Sequence, residues 1–154
     1  MERMPRIVAI VMLVAGAILI VLGAITYVVV QRELSDEQII VSDDADHFAG
    51  EPVEGPFTAY AEAMVIKDHA LEAGGGQTYA QLPQDAPERE TVMNASFLRA
   101  SLFTSVVAFG VAALVVALGV LFILVGLALL GVLRKLEDRR GDTASVSGQH
   151  LAAT

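Results

Sequence analysis

The residues whose types could do chemistry are few and lie in one stretch. Asp43, Asp44, Asp46 and His47 form the only dense cluster of ligating side chains, and His69 follows twenty-two residues after His47. A calcium loop of the helix–loop–helix kind needs acids at alternating positions, then a glycine and a distant glutamate. Asp44 and Asp46 meet the first two requirements, but Phe48 stands where the third acid should be. A solvated acidic loop is the plainer reading. His47, His69 and Glu62 could also make up a two-histidine, one-carboxylate iron set. Nothing in their spacing demands it, and such a centre needs a sheltered cavity with supporting hydrogen bonds. Asp43, Asp44, Asp46, His47 and His69 therefore stand as the only candidates for a cation, with no cofactor assigned.

Other chemistries have less to rest on. There is no cysteine, which removes disulfides, thiolate metal sites and thiol nucleophiles. No serine lies in a G-x-S-x-G turn. Gly74-Gly75-Gly76 has no following Lys-Ser/Thr and reads as a helix stop rather than a phosphate loop. His150 lies in a polar tail and carries no argument. The net charge of −8 opposes nucleic acid as a partner.

The elements that would position these residues are dominated by two apolar blocks. In a chain of 154 residues that is 55% hydrophobic, Ala100 to Leu133 holds no charged side chain and is closed by Arg134 and Lys135. Ile7 to Val30 is also uncharged. About 20 apolar residues cross a bilayer as a helix, so both blocks predict membrane spans, at 7–30 and 100–133. The first is too long for the apolar region of a cleaved signal peptide, and Gly23-Ala24-Ile25-Thr26 is a poor cleavage site; a signal anchor is expected. Basic residues near the span ends set orientation. Arg3, Arg6, Arg134, Lys135, Arg139 and Arg140 lie outside the pair of spans in sequence, against Arg32 and Arg99 between them. The expected protein is thus multi-pass in the plasma membrane, with a cytoplasmic N-tail (1–6), a cytoplasmic disordered tail (134–154), and residues 31–99 extracytoplasmic.

That intervening segment is acidic, with fourteen acids and four bases over residues 31–101. Gln38 to Ser42 is β-like, and Ala49 to Pro56 is rich in turn formers. Thr58 is placed to N-cap a helix over about 58–73, with Tyr60, Met64 and Leu71 at helical spacing. Asp85, Pro87 and Glu88 make a helix-start pattern close to a capping box. No breaker follows before Gly110, so the last helix is expected to begin near Ala86, continue into the second span, and pack its protruding first third on the helix at 58–73.

Small residues recur every seven positions in both blocks: Ala9, Gly16 and Gly23 in the first, Ser105, Ala112, Gly119 and Gly126 in the second. Such spacing keeps them on one face and lets helix backbones approach closely, which packing in lipid rewards. These seven are the expected helix-packing residues. Neither span holds an ionisable residue of the kind that marks ion pathways.

Several phrases carry a further resemblance: Ile40-Val41-Ser42-Asp43-Asp44-Ala45, Gly55-Pro56-Phe57-Thr58-Ala59-Tyr60, His69-Ala70-Leu71-Glu72-Ala73, Gly75-Gly76-Gln77-Thr78-Tyr79-Ala80, and Asn94-Ala95-Ser96-Phe97-Leu98 with Ser101 to Gly110. Over Ile7 to about Leu130 the chain resembles a family of small actinobacterial two-span membrane proteins. Members often carry the label aromatic ring-opening dioxygenase of the LigA type. That label implies a non-haem iron enzyme cleaving catechol-like rings, but supplies no catalytic motif to match onto these residues.

The expectation is an all-α membrane protein: an antiparallel hairpin of two transmembrane helices, with a small, mainly helical extracytoplasmic module continuous with the second span. Its expected role is non-enzymatic, as an accessory or scaffold subunit of a cell-envelope complex. Its expected partners are the lipid bilayer and another membrane protein or itself. The alternatives are the ring-opening dioxygenase that the resemblance implies, and a small envelope sensor of a ligand or cation.

Overall fold

The computed structural model describes residues 3–152, with side chains at 4–137 and 139. Among these residues the fold is all helical: α1 (Arg3–Asp36), α2 (Pro56–Ala73) and α3 (Arg89–Ala152). Two of the helices are long and apolar enough to cross a membrane, over Met4–Asp36 and Arg89–Glu137. The buried shares of their most apolar windows are only 17% and 11%, unlike the core helix of a water-soluble protein.

The chain divides into two compact units, one of residues 1–22 with 115–154 and one of residues 23–114. In the first, α1 and α3 meet at their small residues. Ala9, Gly16, Gly119 and Gly126 are buried. A Cβ built on Gly16 would lie 2.6 Å from the carbonyl oxygen of Gly119, and one on Gly119 would lie 2.7 Å from that of Gly16. At Gly126 it would reach the Ala9 carbonyl oxygen and Leu13 Cγ, each at 3.0 Å. The backbones touch where glycine permits it. Arg6 and Glu137 add an exposed ion pair at 3.7 Å.

The second unit has an apolar core of Leu34, Val41, Val53, Ala59, Ala63, Leu102 and Phe109. Phe109 is 1% exposed and packs on Tyr27 with the rings tilted and their centroids 4.8 Å apart. Tyr60 of α2 meets Phe103 of α3 edge-on at 5.8 Å. Gly23 and Ala112 are buried in this unit, and Ser105, half-buried, turns its hydroxyl to the Ser101 carbonyl. α1 runs to Asp36, past the apolar block, and ends at Gln38 in the left-handed region (φ 52°).

The β-like run 38–42 is extended and pairs once, Ile40 with Pro52 antiparallel. Val41 donates to Glu51, Gly50 donates to Val41 and Val53 donates to Ile39. The pairing is too short to form a strand among the described residues.

α2 starts earlier than expected, and Thr58 is not its N-cap. Gly55 occupies that place in extended conformation and Pro56 follows with its φ preset for the first turn. Thr58 falls at the third helical position, where its Oγ1 accepts from the Gly55 N–H. This is the reciprocal half of a capping box. The C-terminus has the geometry the three glycines require. Gly76 donates to Leu71 and Gly75 to Glu72, the two bonds of a Schellman motif, with φ of +84° and +60°.

α3 begins at Arg89, three residues after the expected start near Ala86, and Asp85 does not cap it. The Arg89 guanidinium donates to the carbonyls of Leu82 and Tyr79 and covers the Tyr79 ring at 4.2 Å. These contacts hold residues 79–88 in turns up to the helix. The last difference lies at the other end, where the polar stretch expected to be disordered is helical as far as Ala152. Propagation of an existing helix is far cheaper than nucleation. Residues 1, 2, 153 and 154 of the tails lie outside the described residues.

The glycine contacts give a selective prediction. Gly16→Ala and Gly119→Ala should each destabilise the protein in detergent by about 1–3 kcal/mol, the usual range for overpacking. Gly110→Ala and Gly131→Ala, which open onto free space, should be neutral or mildly stabilising. Thermal unfolding followed by circular dichroism separates the two pairs, and equal effects at all four positions would refute the close approach.

Candidate functional site

The chemistry-bearing residues of the second unit gather where the loop between α1 and α2 lies on α2. Residues 59, 62, 63 and 66 form one helical face, and Ala59, Glu62 and Ala63 on it are buried. Glu62 is the sole buried charged residue among the described side chains, 7% exposed. Its carboxylate accepts from the Ser42 backbone N–H at 2.8 Å and from the Ser42 hydroxyl at 3.2 Å. Ser42 directly follows Val41, so the same extended run that pairs with Glu51 also offers its next N–H to α2.

Seven residues beyond Glu62, on the same side of α2, His69 Nε2 lies 2.6 Å from Asp44 Oδ2. Positions 42 and 44 of the loop thus meet positions 62 and 69 of the helix, two contacts that hold the loop along α2. The hydrogen bond to Asp44 raises the His69 pKa above its ordinary 6.5, with the Asp44 charge next and the Glu72 and Glu62 charges adding to it. The same hydrogen bond to His69 lowers Asp44 below its ordinary 3.8. Both side chains are more than half exposed, so the pair is a surface latch of modest strength.

Sequence reasoning named most of these residues, missed one and did not foresee the burial of another. Asp44 and His69 are brought together, and Glu62 shares their face of α2. Asp43 and Asp46 are exposed and form no ion pair among the described residues. His47 sits edge-on to Phe48 at 6.4 Å. Ser42 escaped notice because a lone serine after a β-like run carries no signal. The burial of Glu62 was also illegible, although its place between Ala59 and Ala63 on a helical face was a cue.

Among the described residues no group of three His, Cys, Asp or Glu side chains is placed to hold a metal ion. With His69 bound to Asp44 and His47 packed on Phe48, the residues as placed do not fit the iron centre implied by the resemblance. Comparison of the chain with known protein families, with curated proteins and with solved structures finds no match. Function must be argued from the molecule itself.

Two predictions follow from the contacts on α2. Asp44 contributes stability above its ordinary 3.8 and loses it as pH falls through its lowered folded value. His69 contributes below its ordinary 6.5 and loses it as pH rises through its raised folded value. The latch is therefore fully formed between those two pH values and released above the raised His69 pKa. The NMR titration midpoint of His69 should lie above 6.5 in the native chain and fall back towards it in Asp44→Asn; identical midpoints would remove the latch. Separately, Glu62→Ala should cost about 1–3 kcal/mol, because Ser42 loses a charged acceptor. Ser42→Ala keeps the backbone donor and should cost less in the same unfolding assay.

Proposed function

We propose that this is a two-span integral membrane protein of the plasma membrane that serves as a non-enzymatic accessory or scaffold subunit. The observation that carries the reading is the contact of α1 and α3 through glycine backbones, combined with wide apolar exposure on both helices. Ile7, Val11, Val14 and Ile18 on α1 and Leu114, Leu121 and Leu124 on α3 are each more than half exposed. Water would penalise that surface heavily, whereas lipid or a partner helix accepts it. In lipid there is no hydrophobic drive between helices, and close approach at small residues is what stabilises a pair. Along the contact, α1 positions fall from 16 to 9 as α3 positions rise from 119 to 126. This supports an antiparallel hairpin.

The distribution of arginine and lysine supports cytoplasmic termini and an outward acidic segment at 31–99. Neither apolar run carries an Asp, Glu, His, Lys or Arg, so ion transport by this chain alone has no support. The second unit offers a stable surface with surplus negative charge, and the seam between the helices and their outward apolar faces offer contacts within the bilayer. Together these suit a protein that positions another membrane protein or a second copy of itself.

Topology and partnership are both testable, and the absence of native cysteine makes the first direct. Asp46→Cys should react with a membrane-impermeant maleimide on intact cells, while Thr143→Cys should react only after lysis. The reverse pattern would invert the proposed orientation. Purification in mild detergent through a C-terminal tag should recover a defined membrane protein or a dimer of this chain. Recovery of the chain alone as a monomer, with iron lost on His47→Ala and His69→Ala, would sink the scaffold reading in favour of the dioxygenase.

A further inference from the structure

Away from the loop latch, a small cavity of about 90 Å3 lies between α2 and the start of α3, closed on one side by the turn at 77–79. Its walls include Lys67, Thr78, Tyr79 and Arg99, with Ile66 and Val92 as apolar floor. No carboxylate lines it. That is unexpected in a segment with fourteen acids and four bases. Two of those four bases face this cavity, and a third, Arg89, covers the outer wall by stacking on Tyr79.

The two lining cations also lack ion-pair partners among the described residues. Among the described residues neither Lys67 nor Arg99 forms an ion pair. The Arg99 Nε is shut off from solvent and has no hydrogen-bond acceptor. The Arg99 guanidinium carbon lies over the Phe103 ring, 5.2 Å from its centroid. A buried unpaired N–H is costly, and the few that folded chains keep call for an explanation, a bound ion among them. Of the other polar groups in the lining, the Thr78 hydroxyl donates to Gln81 and the Ser96 hydroxyl to Val92. Gln77 and Tyr79 add neutral polar groups beside the two cations.

We propose that this cavity binds a small oxyanion, held by the edge of the Arg99 guanidinium with Lys67 as a second charge. A guanidinium edge presents two parallel N–H donors that match two oxygens of a phosphate or carboxylate. Size restricts the choice. One water needs about 10–15 Å3 on the same measure, so the cavity encloses a group of only a few heavy atoms, the size of a phosphate or carboxylate rather than a whole nucleotide or sugar. The oxyanion has two possible sources, a free solute or the headgroup of an anionic lipid, since Arg99 is the last charged residue before the apolar run that begins at Ala100. The chemistry of recognition is the same for both. The inference stands on the cavity and does not depend on the scaffold reading.

The test uses the full chain, 15N-labelled at arginine, with the Arg99 Nε–H resonance as readout. In an uncharged maltoside detergent it is titrated with inorganic phosphate and with acetate. In nanodiscs it is compared between phosphatidylcholine alone and phosphatidylcholine with phosphatidylglycerol. A saturable shift in the first arm identifies a free solute oxyanion, and a shift only with phosphatidylglycerol identifies a lipid headgroup; either supports the site. Arg99→Lys, which lacks that resonance and is followed with the native chain by titration calorimetry, should bind about tenfold more weakly, the loss of one charge-assisted bond, and Lys67→Gln should also weaken binding. No saturable shift of Arg99 in either arm, or equal affinity in native chain and Arg99→Lys, overturns the proposal. Because the native chain supplies the first readout, the outcome stands even if a variant fails to fold.

Discussion

A helix satisfies its own backbone hydrogen bonds, so a long apolar helix leaves its side chains as the unsolved problem. This chain has two such helices, and most of what it does structurally answers that constraint. Part of the answer is contact at small residues. At Gly16 and Gly119 the missing side chains let carbonyl oxygens come within 2.6–2.7 Å of where a Cβ would stand. The gain there is dispersion between closely packed backbones, individually small and collectively large. The rest of the apolar surface, including Ile7, Val14, Leu121 and Leu124, is not covered within the chain. It requires a surrounding that is itself apolar.

The second unit meets a different demand, because it is built from only about ninety residues and much of it is loop. Its apolar core combines α1, α2 and α3 side chains with two valines from the loop, Val41 and Val53. Those valines are placed by three backbone hydrogen bonds across the Ile39–Val41 and Gly50–Val53 runs. A pairing this short is marginal by itself in water. Glu62 supplies what it lacks, since its buried carboxylate takes the Ser42 N–H that continues the run. A buried charge accepting two hydrogen bonds carries a desolvation cost. It is also specific, because shifting the loop by one residue would replace the Ser42 hydroxyl with a different side chain and turn every side chain to the opposite face.

Much of the fold was legible in the sequence, because it depends on patterns that local physics determines. The two apolar runs, the helix ending at Gly74 and the acidic intervening segment follow from composition and periodicity. The misreadings came where a neighbour decides. Thr58 has the chemistry of an N-cap, but Pro56 starts the helix two residues sooner and Thr58 serves from inside the first turn. Asp85, Pro87 and Glu88 resemble a helix start, yet Arg89 ties the preceding turn to itself through the Leu82 and Tyr79 carbonyls. The candidate site was legible in part. Asp44, His69 and Glu62 stood out as ionisable residues, but which of them would meet depended on the loop path from Gln38 to Val53. Arg99 gave no signal at all, because an arginine at the edge of an apolar run reads as a simple boundary.

The charge pattern of the second unit ties these points together. With fourteen acids against four bases over 31–101, ion pairing cannot be what holds it, and among the described residues His69 with Asp44 is its one such pair. Exposed pairs contribute little in any case. Stability must come from the apolar core and from backbone bonds, which leaves the acidic surface free of structural duty. Against that background the placement of the bases is informative. Arg89 is used to shape a turn, whereas Lys67 and Arg99 face a cavity that no acid lines. Arg99 is a cation that no acid lines up with across the cavity, and its Nε–H is closed off from water without an acceptor; a counter-charge from outside the chain, as proposed, would satisfy both.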